Sequence, residues 1–205
     1  MADQYFAATP RSARREAVIR VTVRGHPLAF HTDAGVFARG KLDRGTELLA
    51  EALTVAPDAV VLDVGCGYGA LGIVAATLAP NGRVVMTDVN ERAVDLAARN
   101  VRDNAVPHAD VRLGAYYDPV AGQTFDAVVS NPPIRAGKAV VFRIIDGAHA
   151  HLRPGGALWI VARTKQGAKS FEARMIAAFG GCETVARGSG YRVLRSRVKS
   201  ASDHA

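Results

Sequence analysis

The stretch AVVLDVGCGYGALGIVAATLA, residues 59–79, decides the fold. It opens with AVVLDV, a short continuous apolar run of the kind that forms a strand buried on both faces of a sheet. The glycine-rich segment DVGCGYG follows, and GALGIVAATLA then has the length and composition of a buried helix. A strand, a glycine turn and a helix in this order predict the first unit of an open parallel sheet, with a ligand site at the turn.

Strands and helices continue to alternate after this stretch. The next strand, RVVMTDV (83–89), leads into a helix for which Asn90 is the expected N-cap. The later predicted elements are strands at 109–114 and 125–130, a helix at 139–152 ended by RPGG, a strand at 157–162 and a helix at 168–180. We therefore predict an α/β fold, a doubly wound and mostly parallel sheet of seven strands that resembles the Rossmann arrangement.

The two ends of the chain add antiparallel strands. ETVARGSGYRVLRSRV (183–198) leaves no room for a helix between its two strands, so we predict a C-terminal antiparallel hairpin. VIRVTVRG (18–25) and LAFHTD (28–33) predict a small N-terminal β extension, which a helix at 42–53 follows. The predicted organisation is a flexible lead-in at 1–16, one domain at 17–199 and a C-terminal tail at 200–205.

Composition narrows the class of protein. A chain of 205 residues fits one domain, and its net charge of +7 favours a polyanionic partner such as nucleic acid. The two cysteines, Cys66 and Cys182, lack CxxC spacing, so we predict neither a disulfide nor a metal site. We see no apolar leader and no run of transmembrane length, and we expect a cytoplasmic protein that is a monomer or a weak homodimer.

The glycine turn has two readings. The letters GYGALG (67–72) match GxGxxG, and Asp88 lies about 20 residues further on, as in NAD-binding folds. Asp63, however, directly precedes the glycine turn, where a carboxylate would oppose a pyrophosphate. It would suit a cationic amino-acid tail that carries an ammonium and a sulfonium. Asp88 ends the next strand, where its carboxylate can accept hydrogen bonds from two ribose hydroxyls.

The segment SNPPIRAGK (130–138) ends the strand FDAVVS. Two prolines cannot continue a sheet, because each lacks a backbone N–H and has a fixed φ. One interpretation is a rigid strand terminator. The other is a pair of oxygen acceptors, the Asn131 side chain and a backbone carbonyl, held at the ligand edge of the sheet. We favour the second because the segment follows a predicted parallel strand at its carboxyl end.

These segments resemble known families. VLDVGCGYGALG resembles the S-adenosylmethionine loop of class I methyltransferases, and SNPPIRAGK resembles the Asn-Pro-Pro motif of those that methylate planar amino nitrogens. FHTDAGVFARGKLDRGTELL and RTKQGAKS resemble the methyltransferase small domain family, which includes guanine-N2 methyltransferases of small-subunit ribosomal RNA. The resemblance runs from Ala29 to Val198. Two departures are Ile134, where many relatives have Phe or Tyr, and an N-terminal domain that larger bacterial relatives carry.

The resemblance implies S-adenosylmethionine as cofactor and a set of site residues. Asn131 and the Pro132 carbonyl would orient the target amine, Pro133 would keep the turn rigid, and Ile134 would contact the target base. The implied cofactor-binding residues are Asp63, Gly65, Gly67, Gly69, Asp88, Val89, Thr46, Tyr116 and Asn131. The residues expected to bind RNA phosphates are Arg135, Lys138, Lys165 and Lys169.

Several residues have more than one interpretation. Phe37, Thr46 and Glu47 would cover the methionine end of the cofactor, although Thr46 would also serve as a helix cap. One of Tyr116 and Tyr117 would contact the adenine ring while the other packs inward. The remaining expectations are a small pocket-lining residue at Cys66, a core residue at Trp159, and helix-end or surface positions at His149 and His151.

Four functions compete. The leading hypothesis is an RNA methyltransferase that acts on guanine N2 in small-subunit ribosomal RNA, with the RNA or the small ribosomal subunit as partner. The alternatives are a methyltransferase for a protein glutamine side chain, a non-catalytic module that binds RNA or a nucleotide, and an NAD-dependent oxidoreductase. Positive charge favours RNA, intact Asp63, Asp88 and Asn131 favour an enzyme, and the Asn-Pro-Pro segment has no role in the oxidoreductase. A DNA adenine target is also open, but no segment reads as a target-recognition domain.

Overall fold

The structure is a computed structural model that describes residue 13, residues 15–38 and residues 40–200. Its strands are β1 Ala17–Val23, β2 His26–Thr32, β3 Val60–Val64, β4 Arg83–Asp88, β5 Ala109–Leu113, β6 Phe125–Ser130, β7 Leu152–Arg163, β8 Glu183–Gly188 and β9 Tyr191–Arg197. Its α-helices are α1 Arg44–Ala52, α2 Ala70–Leu78, α3 Glu91–Asp103, α4 Lys138–His151 and α5 Ala168–Phe179. Two short 3₁₀ turns lie at Asp118–Val120 and Ile134–Ala136.

The main sheet has seven strands in the order β5-β4-β3-β6-β7-β9-β8. The five strands from β5 to β7 are parallel, and β9 runs antiparallel to both β7 and β8. β1 and β2 form a separate antiparallel hairpin. The predicted α/β sheet, its C-terminal hairpin and its N-terminal extension are therefore confirmed.

The core has two layers because helices cover both faces of the sheet. One apolar cluster joins α1, α2 and α3 to the sheet and contains Trp159 and Phe30, both almost fully buried. The other joins α4 and α5 to the opposite face and contains Phe125 and Phe171. Strands buried on both faces need apolar side chains at every position, which explains the continuous apolar runs in the sequence.

The start of β7 differs from the prediction. The segment RPGG was predicted to end the preceding helix, but α4 ends at His151 and β7 begins at once at Leu152. Leu152 pairs with Phe125, and the register then shifts so that Ala127 pairs with Ala157. The extra residues form an irregularity at the start of the strand, where Gly155 has a left-handed φ of +80°. Sequence patterns for turns do not distinguish a loop from such a bulge.

The N-terminal hairpin is attached to α3 by two asparagine side chains. Asn104 accepts a hydrogen bond from the Ala29 N–H and donates one to the Ala29 carbonyl, over 3.0 and 2.7 Å. Asn100 does the same with His31, over 2.7 and 3.0 Å. Ala29 and His31 are two residues apart, so both present their backbone on the same edge of β2. The two amides replace the strand that would otherwise pair there.

The predicted tails fall largely outside the described residues. Residues 1–12 and 14 of the lead-in, and residues 201–205 of the C-terminal tail, belong to that part of the chain. At the end of the lead-in, the Arg15 N–H donates to the Asp33 carboxylate, and Glu16 pairs with Arg99 at 3.2 Å. Among the described residues, no helix combines the length and the apolar character that crossing a membrane requires.

Candidate active site

A cavity of about 360 Å³ opens at the carboxyl ends of β3, β4 and β6. Its floor consists of the segments that follow these strands, and its roof is formed by the segment between β2 and α1 together with the start of α1. This is the position expected for a ligand in an open parallel sheet, near the point where the strand order reverses. The residues named in the sequence for their chemistry largely converge here.

Asp63, the fourth residue of β3, supplies a buried carboxylate to the cavity. It is 1% exposed, and its Oδ2 accepts a hydrogen bond from the Gly72 N–H at 2.9 Å. Its Oδ1 is buried and has no hydrogen-bond partner among the described residues. Burial, opposed by the Gly72 hydrogen bond and reinforced by the charge of Asp88, raises the pKa of Asp63 to about 7. A buried oxygen in this state favours a ligand that carries a positive charge or a hydrogen-bond donor.

The three glycines of the turn have different roles. Gly65 and Gly67 line the cavity with φ of +72° and +57°, and a Cβ on either would meet no atom within 4 Å. These two residues therefore border open space. Gly69 does not line the cavity: its φ is +91°, and a Cβ there would lie 3.2 Å from the Ala97 Cβ and 3.3 Å from the Met86 Sδ. Gly69 thus allows the turn to pack against α3.

Asp88 ends β4 and is held by backbone donors. Its Oδ2 accepts from the Gly67 N–H at 2.8 Å and its Oδ1 from the Asn90 N–H at 2.9 Å. Burial raises the pKa of Asp88, while these backbone hydrogen bonds oppose the rise. Each carboxylate oxygen has a further lone pair, so Asp88 can still accept two hydrogen bonds from a ligand. Val89 lines the cavity beside it.

Asn131 lies at the other end of the cavity, after β6. Its Nδ2 donates to Thr46 Oγ1 at 2.9 Å and to Asp43 Oδ2 at 3.2 Å. Because a carboxylate can only accept, this contact fixes which side of the amide faces Asp43. The Asn131 Oδ1 accepts no hydrogen bond from the described residues. Asn131 therefore presents an acceptor at the cavity while its donor group is occupied.

Asp43 was not identified as a site residue from the sequence. It is the N-cap of α1, and its Oδ2 accepts from the N–H groups of Gly45 and Thr46 at 2.8 and 3.1 Å. The alternative that Thr46 caps this helix is therefore wrong. The letters LDRGTE identify a cap residue, but the contact with Asn131 joins positions 88 residues apart and has no local signal.

The Asn-Pro-Pro turn contributes its prolines to the cavity but not Ile134. Pro132 and Pro133 line the cavity, whereas Ile134 packs against the apolar cluster beneath α4. The Pro133 carbonyl accepts a hydrogen bond from the Ala136 N–H at 2.8 Å. The Pro132 carbonyl accepts none from a described residue, so it is the oxygen of the two that is available to a ligand.

The two tyrosines after β5 separate as expected. Tyr116 lines the cavity, while Tyr117 is buried and donates its hydroxyl to the Ile144 carbonyl at 2.6 Å. His151 stacks on the Tyr117 ring at 4.7 Å, and its Nδ1 lies 3.0 Å from the Gln123 carbonyl oxygen.

In the described part of the chain no three His, Cys, Asp or Glu side chains form a group that could hold a metal ion.

The remaining candidates can also be placed. Phe37 lines the cavity, whereas Glu47 is exposed and does not. Cys66 lines the cavity, and burial together with Asp88 and Asp63 raises the pKa of its thiol well above the usual value. The Cys66 thiol therefore stays protonated at neutral pH and is not a reactive nucleophile. Trp159 is in the core, and His149 packs against Phe179 at the end of α4.

The segment between β2 and α1 forms a roof over the cavity. Val36 and Phe37 line the cavity from this side, and Val36 was not predicted. The carbonyls of Ala34 and Gly35 accept hydrogen bonds from Arg92 at 2.6 Å and from Asn90 at 3.0 Å. The roof is thus tied to the start of α3, directly after Asp88.

Four predicted phosphate-binding cations lie outside the cavity. They follow β6 and β7 at the carboxyl edge of the sheet, and all four are exposed and form no ion pair with a described residue. They are Arg135, Lys138, Lys165 and Lys169. Their position on one edge agrees with the prediction, while their role in binding RNA stays a prediction.

The sheet order and a cavity at the ends of β3 and β4 define a Rossmann-like methyltransferase fold, and solved structures of methyltransferases share it. The chain belongs to the methyltransferase small domain family, because the sequence model of that family matches residues 27–195. The NAD-dependent oxidoreductase is excluded by this assignment. The family resemblance of the sequence motifs is confirmed.

The chain is similar to proteins of known sequence and structure, which include the following three. It is 33% identical over 199 residues to the uncharacterized protein YbxB of Bacillus subtilis, a match that covers 96% of this chain and 99% of YbxB. It is 33% identical over 180 residues to the ribosomal RNA large subunit methyltransferase G of Streptomyces avermitilis, covering 85% of this chain and 46% of that protein.

The third is a solved structure, the T. thermophilus 16S rRNA N2 methyltransferase RsmC in complex with AdoMet and guanosine. The two folds superpose with a TM-score of 0.80 at 28% identity, covering 90% of this chain and 51% of RsmC. The chain thus spans almost all of YbxB and about half of the length of the two named rRNA methyltransferases.

Proposed function

We propose that the chain is an S-adenosylmethionine-dependent methyltransferase that methylates the exocyclic N2 amine of a guanine in small-subunit ribosomal RNA. The observation that carries the proposal is the state of Asn131. Its amide group donates to Thr46 Oγ1 at 2.9 Å and to Asp43 Oδ2 at 3.2 Å. No described residue donates to its Oδ1, which leaves this acceptor to a ligand in the cavity. A planar amine needs such an acceptor to be held in place.

The cavity fits the cofactor. The Oδ1 of Asp63, which has no hydrogen-bond partner among the described residues, suits the ammonium of the cofactor's amino-acid tail, since a buried carboxylate oxygen needs a donor. Gly65 and Gly67 leave room for the ligand to approach the backbone, and Asp88 is available to the ribose hydroxyls. Val89 and Tyr116 line the remaining side, where the adenine would lie. A cavity of about 360 Å³ falls in the range used for small ligands.

The bound cofactor would supply an electrophilic methyl group. The exocyclic amine of guanine is a poor nucleophile, because its lone pair is delocalised into the ring. The Asn131 Oδ1 and the Pro132 carbonyl, which no described donor occupies, would accept its two hydrogens and orient the lone pair. The proton can leave after transfer, so no strong general base is required. The contribution of the protein is then mainly positioning.

The nature of the target is supported by charge and by the relatives. The net charge of +7 and the exposed cations beside the cavity suit a polyanion. RsmC, with a TM-score of 0.80, acts on N2 of 16S rRNA, and this favours guanine N2 in the small subunit. The S. avermitilis relative is named for the large subunit, so the experiment must examine the RNA of each subunit separately.

The test compares modified nucleosides in ribosomal RNA from cells with and without this gene, by mass spectrometry and mapping of each RNA separately. We expect N2-methylguanosine to be lost from one position in the small-subunit RNA. Wild-type protein should restore it, and Asn131→Ala should not.

Other outcomes separate the alternatives. Loss of N2-methylguanosine from the large-subunit RNA would show that the proposed reaction is right and the proposed RNA target is wrong. Unchanged RNA together with loss of a methylated glutamine in a protein would overturn the proposal in favour of the glutamine enzyme. Restoration by Asn131→Ala would contradict the assigned role of the Asn-Pro-Pro turn.

A further inference from the structure

Five cations lie together at one corner of the sheet, at or just beyond the cavity ends of β7, β8 and β9. Three of them, Arg163, Arg187 and Arg192, are on the strands themselves and were not singled out in the sequence. The others, Lys165 and Lys169, follow β7 on the loop and first turn of α5. We call these five residues the basic band. All are exposed except Arg192, which is half-buried.

The cations of the basic band form no ion pairs, whereas the opposite end of the same strands has two ion pairs beside two exposed cations, Arg197 and Lys199, that form none with a described residue. Where β8 starts and β9 ends, Arg195 pairs with Glu183 at 2.6 Å. At the start of β7, Arg153 pairs with Asp126 at 2.8 Å. No residue of the basic band forms an ion pair with any described residue. Five neighbouring cations that no described carboxylate neutralises suit a negatively charged partner.

Arg187 and Arg192 are directly opposite each other in the β8–β9 pair. Side chains at opposed positions of an antiparallel pair point to the same side, with Cβ atoms about 4.5–5.5 Å apart, and like charges there are destabilising. Charged residues also protect an edge strand from pairing with another sheet. A pair such as Glu183 and Arg195 gives that protection without repulsion, so protection does not explain two arginines. A bound phosphate between them would remove the repulsion.

The basic band is connected to the end of the cavity that contains Asn131. The Arg163 guanidinium lies 5.0 Å from the centre of the Tyr191 ring. The Tyr191 hydroxyl is 3.5 Å from Asp43 Oδ1, and the other oxygen of Asp43 contacts Asn131. The Thr164 N–H also donates to the Gly190 carbonyl at 2.9 Å, which fixes the hairpin turn against the end of β7. The basic band is therefore held in a fixed position relative to Asn131.

We infer that RNA next to the target nucleotide runs from the cavity across the end of β7 and onto the β8–β9 hairpin. Its phosphates would contact Arg163, Arg187 and Arg192, in addition to the lysines after β7. Contacts of this kind fix the position and direction of the RNA without reading its bases. The inference rests on the proposed function and adds the path of the RNA strand to it.

The experiment uses the double variant Arg187→Ala/Arg192→Ala and a matched control, Arg197→Ala/Lys199→Ala. The control removes two exposed cations at the far end of β9. The RNA is deproteinised small-subunit RNA and, separately, small ribosomal subunits, both from cells lacking the gene. We measure RNA affinity as a function of salt, affinity for S-adenosylmethionine, and the melting temperature.

For the Arg187/Arg192 variant we expect RNA affinity to fall about tenfold, and the salt slope to become shallower by about 0.7 for each charge removed. Cofactor affinity should not change. The melting temperature should stay equal or rise, because a repulsive pair has been removed. The control should retain RNA affinity within about twofold. A stability gain with a loss of RNA binding is the result that a purely structural role for these arginines would not produce.

Two failures are distinguishable. Equal losses in both double variants, or no loss in the Arg187/Arg192 variant, would overturn the inferred path while leaving RNA methylation intact. If wild-type protein binds the cofactor but neither RNA nor ribosomal subunits, the proposed function itself fails, and the path fails with it.

Discussion

The two ends of the cavity are built in different ways. At the cofactor end, Asp63 and Asp88 are held by main-chain donors, the N–H groups of Gly72, Gly67 and Asn90. All of these residues lie within one strand-turn-helix stretch and the strand that follows. At the other end, which we call the transfer end, Asn131 is held by the side chains of Thr46 in α1 and of Asp43, the N-cap of α1, which are 85 and 88 residues away in sequence.

Because of this difference, the two ends of the cavity should respond differently to amino-acid substitutions. A site built from backbone donors persists as long as its local segment folds, because the donors are not removed by substitution. A site built from side-chain contacts depends on single residues and on how α1 is packed against the sheet. We therefore expect substitutions at the cofactor end to alter binding alone, and substitutions at the transfer end to alter rate. Four changes test this division.

The largest effect should come from Asn131→Ala. It removes the acceptor but keeps the turn, so the rate of single-turnover methyl transfer should fall by roughly a hundredfold or more. Affinity for S-adenosylmethionine, measured by calorimetry, should be nearly unchanged, since the residues expected to bind its ribose and amino-acid tail follow or lie on other strands, β3 and β4. Glu47→Ala, an exposed position one residue from Thr46, is the matched control and should retain both. Near-normal transfer by Asn131→Ala would mean that the turn only terminates β6.

The second largest effect should be the loss of cofactor affinity in Asp88→Ala. Loss of charge-assisted hydrogen bonds to the ribose should weaken the binding of S-adenosylmethionine by roughly 1–3 kcal/mol, which raises the Kd about 5-fold to 150-fold. The transfer rate at saturating cofactor should stay within a few-fold of wild type. Calorimetry against NAD gives the control, because no comparable binding of NAD is expected. A variant with normal affinity and a much reduced rate would break the division between the two ends.

The third prediction concerns pH and Asp63. Its pKa of about 7 in the folded protein is above the ordinary value of 3.8, so the folded state holds the proton more tightly than the unfolded state. Without cofactor, the stability from this group is fully present below about pH 3.8 and is lost as the pH rises to about 7. Binding of a cationic tail needs the ionised form, so cofactor affinity should be about tenfold lower at pH 6 than at pH 8.

Asp63→Asn provides the comparison for this pH dependence. An amide keeps an acceptor for the Gly72 N–H, which lies 2.9 Å from the carboxylate, but it cannot ionise. Melting curves of the variant should lack the loss of stability between pH 4 and pH 7, and its weak cofactor binding should not vary with pH. If melting temperature and cofactor affinity vary with pH in the same way in the wild type and in Asp63→Asn, a group other than Asp63 is responsible for the pH dependence.

The smallest effect should come from Asp43→Asn. Asparagine is a good N-cap, so stability should change by only a few tenths of a kcal/mol. The variant loses the charged acceptor for the Asn131 amide, and transfer should slow by about fivefold, or about 1 kcal/mol. Asp43→Ala should lose about 1 kcal/mol of stability as well. If both variants slow transfer only in proportion to lost stability, Asp43 is a helix cap and no more.

The sequence predicted the cofactor end better than the transfer end, for a physical reason. Asp63, the glycine turn and Asp88 are local, and their spacing along strand and helix determines where they lie. Asn131 was found because two prolines mark its turn, but Asp43 was missed because its contact with Asn131 arises only when α1 packs against the sheet. Ile134 follows the same turn yet is half-buried against the apolar cluster beneath α4, since residue order does not determine which side chain of a turn faces the cavity.

The strands likewise show features that depend on tertiary packing and that the local sequence does not reveal. Apolar runs, continuous or alternating, predicted the order and type of the strands and α-helices from β1 to β9. The start of β7 was predicted five residues late, because a bulge follows its first pairing. Arg187 and Arg192 became neighbours only once the register of β8 and β9 was known. Pairing between strands is a tertiary property, and the spacing of single residues does not reveal it.

The asparagine contacts between α3 and β2 also set an order of events during synthesis. Asn100 and Asn104 follow their partners His31 and Ala29 by 69 and 75 residues. At about 5–20 residues per second, the ribosome needs roughly 4–15 s to add that length of chain. During this interval the free edge of β2 has no amide to pair with. The N-terminal hairpin is thus made before the strands of the main sheet but is fixed against α3 only after that helix has emerged, and until then its free strand edge is open to chaperones or to misassociation.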